Sequence, residues 1–307
     1  LGVVGAIIPW NFPVFLLAFK LPAALLAGNS IVIKPAPTTP LTTLRLGELI
    51  ANVLPAGLVN IIADKNDLGD KITTHKGISK ISFTGSTATG SRVLASAAST
   101  LKRVTLELGG NDAGIVMDDV DVEAVAPQIF DGAFGNNGQI CIAMKRVYAH
   151  ESIYDKLVDQ LAELAKEAAV GNGLEQGTKL GPLQNKMQFD KVKGYIEEGR
   201  ADGTIVAGGE VPDGKGYFIP PTIVKDIDDD SRLVKEEQFG PVLPVIKYDD
   251  IDDVIERAND TDYGLGGSVW SSDTDRAYEV AKKVDSGTIW VNKHADVQPH
   301  IPFGGIK

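Results

Sequence analysis

Short apolar runs of five to seven residues recur through the first third of the chain, at 2–8, 30–34, 58–63, 80–84 and 103–108. Turn residues such as Pro9, Asn11, Pro35, Pro37 and Gly85 close them, which marks them as buried strands. The stretches between carry helical signals. Residues 12–27 form an apolar run interrupted by Pro13, Lys20 and Pro22, too short for a bilayer span and predicted as a buried helix. Thr38 or Thr39 can cap a helix with Pro40 at its first position, running to about 53. Further helices are expected at 67–76 and, opening from the Gly85–Gly90 turn, to about 99. Strand and helix alternating on short links predict a parallel α/β sheet covered on both faces.

After Gly109-Gly110 the alternation resumes, with strands expected at 113–117, 146–150, 204–207, 242–247, 267–270 and 287–292. Helices are expected from about 122 and at 152–169, 184–202, 251–259 and 274–284. Two α/β domains follow, 1–109 and 110–307. The acidic run 226–230 reads as a solvated turn, and no repeat or low-complexity linker interrupts the pattern. Leu1 already begins a strand-like run and the chain stops after Phe-Gly-Gly-Ile-Lys, so a fragment of a longer protein is expected.

Composition changes this picture in three ways. A net charge of −11 argues against a nucleic-acid partner and against an anionic membrane surface. One cysteine in 307 residues makes no intrachain disulfide, so a reducing, cytoplasmic setting is expected. The four histidines are scattered without metal-ligand spacing, and no metal site is expected.

That one cysteine, Cys141, stands in Phe-Gly-Asn-Asn-Gly-Gln-Ile-Cys-Ile-Ala at 134–143, among glycines and amides rather than core residues. A thiolate is the most nucleophilic side chain, and neighbouring amide dipoles would favour it. Free cysteine is also among the most often buried residues, so its neighbours must decide. Gly85 to Gly90 lies between a strand and a helix, where backbone N–H groups and the helix dipole suit a pyrophosphate, and Ser86 adds a hydroxyl. A tight strand-to-helix turn explains the same residues. Glu107 ends an inner strand, where parallel sheets bind ligands and where burial would make a carboxylate a base. Asn11 follows another strand end and offers an oxyanion donor, or else an ordinary turn amide.

Taken together these blocks resemble the NAD(P)-dependent aldehyde dehydrogenase superfamily. Pro-Trp-Asn-Phe-Pro at 9–13, Phe-Thr-Gly-Ser-Thr at 83–87, Leu-Glu-Leu-Gly-Gly at 106–110, Gly-Gln-Ile-Cys at 138–141, Glu-Glu-Gln-Phe-Gly-Pro at 236–241 and Pro-Phe-Gly-Gly-Ile-Lys at 302–307 occur in family order. The resemblance covers essentially the whole chain. It implies a Rossmann-like cofactor domain, lacking its N-terminal part, and a catalytic domain lacking its C-terminal tail. By position, Cys141 resembles the nucleophile, Glu107 the general base, and Asn11 an oxyanion donor beside the Cys141 N–H. Trp10, Lys34, Gly85 and Ser86 resemble contacts to the adenosine ribose and phosphates, and Leu108 a nicotinamide-carboxamide contact. Glu237 resembles the carboxylate on the nicotinamide ribose, with Phe239 packed beside it, and Lys20 a lysine near the active centre. Where many NAD-preferring members carry Glu, three residues after the lysine, this chain has Pro37. No Arg stands next to Lys34, so NAD is expected, with NADP open.

The implied reaction oxidises an aldehyde to an acid through a thiohemiacetal and a thioester on Cys141. Phe12, Phe15, Phe19, Ile140, Ile142 and Phe303 could line an apolar tunnel for uncharged aliphatic or aromatic aldehydes, although an aromatic near a glycine turn is more often ordinary packing. Family members are usually dimers or tetramers, so a homo-oligomer is expected at full length. The rivals are a CoA-acylating semialdehyde dehydrogenase, a Cys–His hydrolase or transferase, and a non-catalytic binding or structural relative.

Overall fold

A computed structural model describes residues 1–307, which separate into two compact units, Leu1–Leu108 and Gly109–Lys307. In the first unit β1 (Val3–Ile7), α1 (Pro13–Leu26), β2 (Ser30–Lys34), α2 (Leu41–Ile50), β3 (Val59–Ile61), α3 (Gly69–Thr74), β4 (Lys80–Thr84), α4 (Thr87–Ala98) and β5 (Arg103–Glu107) alternate in strict succession. The five strands are all parallel, in the order β3-β2-β1-β4-β5. Alternate residues of β1 serve opposite faces. Val4, Ala6 and Ile8 pack with Leu17 and Leu21 of α1, while Ile7 packs with Ile72, Ile81, Phe83 and Val93 on the other side. Two covered faces are why these strands read as unbroken apolar runs.

The second unit follows with β6 (Asp112–Val116), α5 (Val122–Phe134), a 3-10 turn at Gly135–Gly138, β7 (Met144–His150), α6 (Glu151–Glu167), α7 (Lys186–Asp202) and β8 (Thr204–Ala207). It continues with β9 (Thr222–Lys225), α8 (Arg232–Lys235), β10 (Val242–Tyr248), α9 (Ile251–Asn259), β11 (Gly266–Trp270), α10 (Thr274–Ala281) and β12 (Thr288–Val291). Its seven-stranded sheet has the order β12-β11-β6-β7-β10-β9-β8. Val116, Val147, Val245 and Trp270 pack one face against α5 and α6, and Ile115, Tyr148, Ile246 and Val269 fill the other.

The mixed α/β class and the parallel sheets are as expected, with three differences. The strand β9 was not foreseen, and its pairing with β8 is antiparallel, so the second sheet is not wholly parallel. Its four residues follow directly on Pro220-Pro221, which reads as a turn. The apolar α1 is not buried all round: Leu17, Leu21 and Ala24 face the sheet, while Val14, Phe15, Phe19 and Leu26 are exposed in this unit. The acidic run 226–230 is not simply solvated, because Asp229 accepts the Tyr148 hydroxyl at 2.6 Å and pairs with Arg257 at 2.6 Å. No helix is long and apolar enough to cross a membrane.

Candidate active site

In the first unit the strand order reverses between β1 and β4. Open parallel sheets take ligands beyond the carboxyl ends of their strands at such a reversal. The candidate residues of this unit all stand at carboxyl ends: half-buried Trp10 and Asn11 after β1, Lys34 closing β2, Gly85 and Ser86 after β4, and Glu107 and Leu108 at β5. Gly85 N–H donates to the Glu107 carbonyl at 3.0 Å, and a Cβ at Gly85 would lie 2.6 Å from the Phe83 ring. Ser86 caps α4, its hydroxyl accepting the Thr89 N–H at 3.4 Å, and no acid lies in the first turn. Gly90 lets α4 settle on Leu108, because a Cβ there would collide with that side chain. A close backbone turn, an acid-free helix N-terminus and tight helix–strand packing fit the phosphates of a dinucleotide.

Two lysines of this unit carry unusual partners. Lys34 Nζ lies 2.8 Å from Asp64 Oδ1 and 3.3 Å from the Pro35 carbonyl, with only 4% and 0% of the Lys34 and Asp64 side chains exposed. Burial works to raise the Asp64 pKa, but the Lys34 hydrogen bond and the Leu68 N–H outweigh it and hold the carboxyl below its usual range. Asp64 carried no signal in the sequence. Lys20 on α1 donates to Ser82 Oγ at 3.1 Å. Burial pushes Lys20 down to about 8, against the opposing pull of the Glu107 carboxylate. Glu107 is raised by burial, and the Lys20 charge limits the rise.

In the second unit, α5 runs into a turn in which Asn136, Asn137 and Gly138 take φ of 48°, 58° and 72°. Asparagine and glycine accept this left-handed backbone, and a Cβ at Gly138 would collide with the Gly240 carbonyl. Asn137 donates its amide to the Gly181 carbonyl at 3.0 Å. Gln139 accepts the Gln184 N–H at 2.9 Å and donates to the Asn136 carbonyl at 3.0 Å. The amides beside the cysteine thus hold scaffold.

The thiol environment differs accordingly from the expectation. Cys141 is half-buried against an apolar cluster that includes Ile140, Ile142, Leu265, Trp290 and Phe303. Burial pushes its thiol up to about 11; Lys145 draws it down, Asp112 and Glu237 push it further up, and a hydrogen bond from the Ile142 N–H favours the thiolate. Cys141 therefore rests as a protonated thiol near neutral pH.

Three residues beside it were missed from sequence. Lys145, four positions after Cys141, donates to the carbonyls of Ile140 at 2.9 Å, Cys141 at 2.7 Å and Ala143 at 3.3 Å. Asp112 is wholly buried, and burial raises its pKa to about 7. Its Oδ1 accepts the Gly266 N–H at 3.2 Å, and its Oδ2 lies 3.9 Å from His294 Nε2. That nitrogen bonds the Ile142 carbonyl at 2.7 Å, while His294 Nδ1 lies 3.0 Å from Ser268 Oγ. The available signal was charge directly before the expected strands 113–117 and 146–150, and the structure extends β6 and β7 back to include Asp112 and Lys145.

Glu237 Oε1 accepts the Gly110 N–H at 3.0 Å and stands 3.7 Å from Lys145 Nζ. Phe239 holds a φ of 53°, and its carbonyl accepts from Gln188 Nε2 at 2.9 Å. Glu236 belongs to the scaffold, bonded by Tyr195 at 2.8 Å and Arg232 at 2.9 Å. No group of three or more His, Cys, Asp or Glu is placed to hold a metal ion.

The sequence profile of the aldehyde dehydrogenase family matches residues 1–307. A mitochondrial aldehyde dehydrogenase of Leishmania tarentolae is 46% identical over 311 residues, covering 100% of this chain and 62% of that protein. A phenylacetaldehyde dehydrogenase of Pseudomonas fluorescens is 42% identical, again over 100% of this chain and 62% of its own length. Among solved structures, an NAD+ complex of an aldehyde dehydrogenase from Bacillus cereus superposes with a TM-score of 0.97 at 42% identity, covering 100% of this chain and 63% of that one. Betaine aldehyde dehydrogenase from Staphylococcus aureus in complex with NAD+ gives 0.96 at 37% identity, covering 100% and 62%. The chain thus spans just over three-fifths of these relatives, 62–63% of their length. Because the match runs from the first residue to the last in both sequence and fold, the chain belongs to the aldehyde dehydrogenase family.

Proposed function

We propose that the protein containing this chain oxidises aldehydes to carboxylic acids with a nicotinamide dinucleotide. The observation that carries the reading is the chain's single cysteine, at the family's nucleophile position on a loop clamped by buried donors. The Cys141 thiol gives up its proton to solvent, the thiolate adds to the aldehyde carbon, and the Asn11 amide with the Cys141 N–H receives the charge that develops on oxygen. One such donor is typically worth about 10²–10³ in kcat. A nicotinamide held at this site would supply the hydride acceptor needed to take the Cys141 adduct to a thioester. Glu107 then takes a proton from the water that opens the thioester. Its raised pKa suits this role, since a general base works best with a pKa near the operating pH.

In the same reading Leu1–Leu108 is the cofactor-binding domain and Gly109–Lys307 the catalytic domain. Gly85, Ser86, Trp10 and Lys34 serve the adenosine and phosphates, and Leu108, Glu237 and Phe239 the nicotinamide end. NAD is favoured over NADP because the Lys34 ammonium is already matched by Asp64. The substrates are uncharged aliphatic or aromatic aldehydes, and the full-length protein is a homo-oligomer.

A Cys–His hydrolase is disfavoured, because both ring nitrogens of His294 are engaged, by Ser268 and by the Ile142 carbonyl. A CoA-acylating enzyme has less use for a buried base at Glu107. The test is an aldehyde panel including phenylacetaldehyde on the full-length protein, with NAD or NADP and with or without CoA, read by reduced-nicotinamide absorbance. Cys141→Ala abolishes the signal; full activity in that variant ends the reading.

A further inference from the structure

Residues 139–143 belong to no helix or strand, and the Ala143 N–H to Ile140 carbonyl turn bond at 3.1 Å leaves the Cys141 and Ile142 carbonyls without a backbone partner in the loop. Two buried side chains add the remaining hold. The carbonyls of Ile140, Cys141 and Ala143 all accept from Lys145 Nζ, and the carbonyl of Ile142 accepts from His294 Nε2. An ammonium has three donors and no acceptor, so Lys145 spends its whole set on this one loop. At 2% exposure it is a cation out of water, matched by Glu237 at 3.7 Å. The other titratable groups around it are the Cys141 thiol, Asp112 from β6, Lys191 from α7 and His294 from the segment after β12.

A trans peptide holds its C=O and N–H on opposite sides of one plane. The Ile140 carbonyl shares its peptide with the Cys141 N–H, and the Cys141 carbonyl with the Ile142 N–H. Drawing both carbonyls onto Lys145 therefore turns both N–H groups the other way. The second of them is the one that hydrogen-bonds the sulfur.

We propose that Lys145 is the positioning residue of the nucleophile: by gripping the Ile140 and Cys141 carbonyls it aims the Cys141 and Ile142 N–H groups at the charge that develops on substrate oxygen and on sulfur. His294 completes the grip one peptide further along. The proposal rests on Cys141 being the nucleophile.

The test uses the cofactor-free full-length protein. Alkylation of Cys141 by iodoacetamide is followed against pH, with mass spectrometry to locate the label, beside steady-state aldehyde oxidation. Lys145→Met loses donors and charge. It is expected to move the alkylation midpoint to higher pH, and to lower kcat by about 10- to 100-fold with aldehyde KM within about threefold. Lys145→Gln restores neutral donors, so kcat recovers in part while the alkylation midpoint stays high. Removing one partner of a buried charge cluster can unfold a protein, so Lys145→Met/Asp112→Asn, which removes both signs, is read in the same way. A folded Lys145→Met with the wild-type alkylation profile and kcat overturns the proposal, as does a drop in melting temperature alone. Failure of all three variants to fold makes Lys145 a residue of the fold and overturns it too. A wild-type protein that turns over no aldehyde sinks the reading of Cys141 separately, since the alkylation profile still reports what Lys145 does.

Discussion

Lys34 and Asp64 form an ion pair at 2.8 Å that is almost wholly withdrawn from water, at the carboxyl end of β2 where the family's cofactor ribose is expected. Pro37, exposed three residues on, supplies no carboxylate to discriminate against a 2′-phosphate. In the proposed cofactor site Asp64 takes over that task indirectly by consuming the Lys34 charge. Asp64→Asn keeps an acceptor for the Leu68 N–H, bonded at 3.0 Å, but frees the ammonium. The ratio of NADP to NAD dissociation constants is expected to fall about tenfold, the scale of one charge-assisted phosphate contact. Titration calorimetry on the full-length protein measures it, and equal shifts for both cofactors would refute the idea.

Glu107 and Lys20 are coupled through charge, with burial raising one pKa and pushing the other down to about 8. Glu107→Gln is expected to leave the first burst of reduced nicotinamide intact and slow the steady state about 10²–10⁴-fold, the usual worth of a general base. Lys20→Met removes the cation that restrains Glu107. The Glu107 pKa then rises, the base becomes available only at higher pH, and the acidic limb of kcat moves upward. An unmoved limb in stopped-flow and steady-state profiles would show that the two do not communicate.

Strands such as Ser30–Lys34 and Lys80–Thr84 were legible because a continuous apolar run closed by a turn reads as buried strand. The environment of Cys141 was not. Gln139 and Asn137 look like polar support for a thiolate in the sequence, yet they bond Gln184 and Gly181, and the sulfur is left to an apolar cluster and one lysine. Side-chain direction decides this, and the identities of neighbouring residues do not encode it. Lys145 and Asp112 escaped for a related reason. A charge just outside an expected strand reads as a solvent-facing position until its partners, which come from four separate segments, are known.

Asp112 and His294 impose opposite pH dependences on stability. Asp112 ionises at about 7 in the folded chain, raised by burial, against the ordinary carboxylate range when unfolded. The folded state therefore binds the extra proton between about pH 4 and 7, and this contribution to stability is lost as pH rises through that window, by on the order of 4 kcal/mol. His294 is pushed down to about 4 by burial, so the unfolded state binds the extra proton. Its contribution is present above about pH 6.5 and lost as pH falls toward 4, by on the order of 3 kcal/mol. Between about pH 4 and 6.5 the two slopes largely cancel. Relative to wild type, Asp112→Asn should gain stability as pH rises from about 4 to 7, and His294→Gln as pH falls from about 6.5 to 4. Urea unfolding at one-unit pH intervals separates the variants, and stability curves that run parallel to wild type would mean that neither group titrates inside the fold as described.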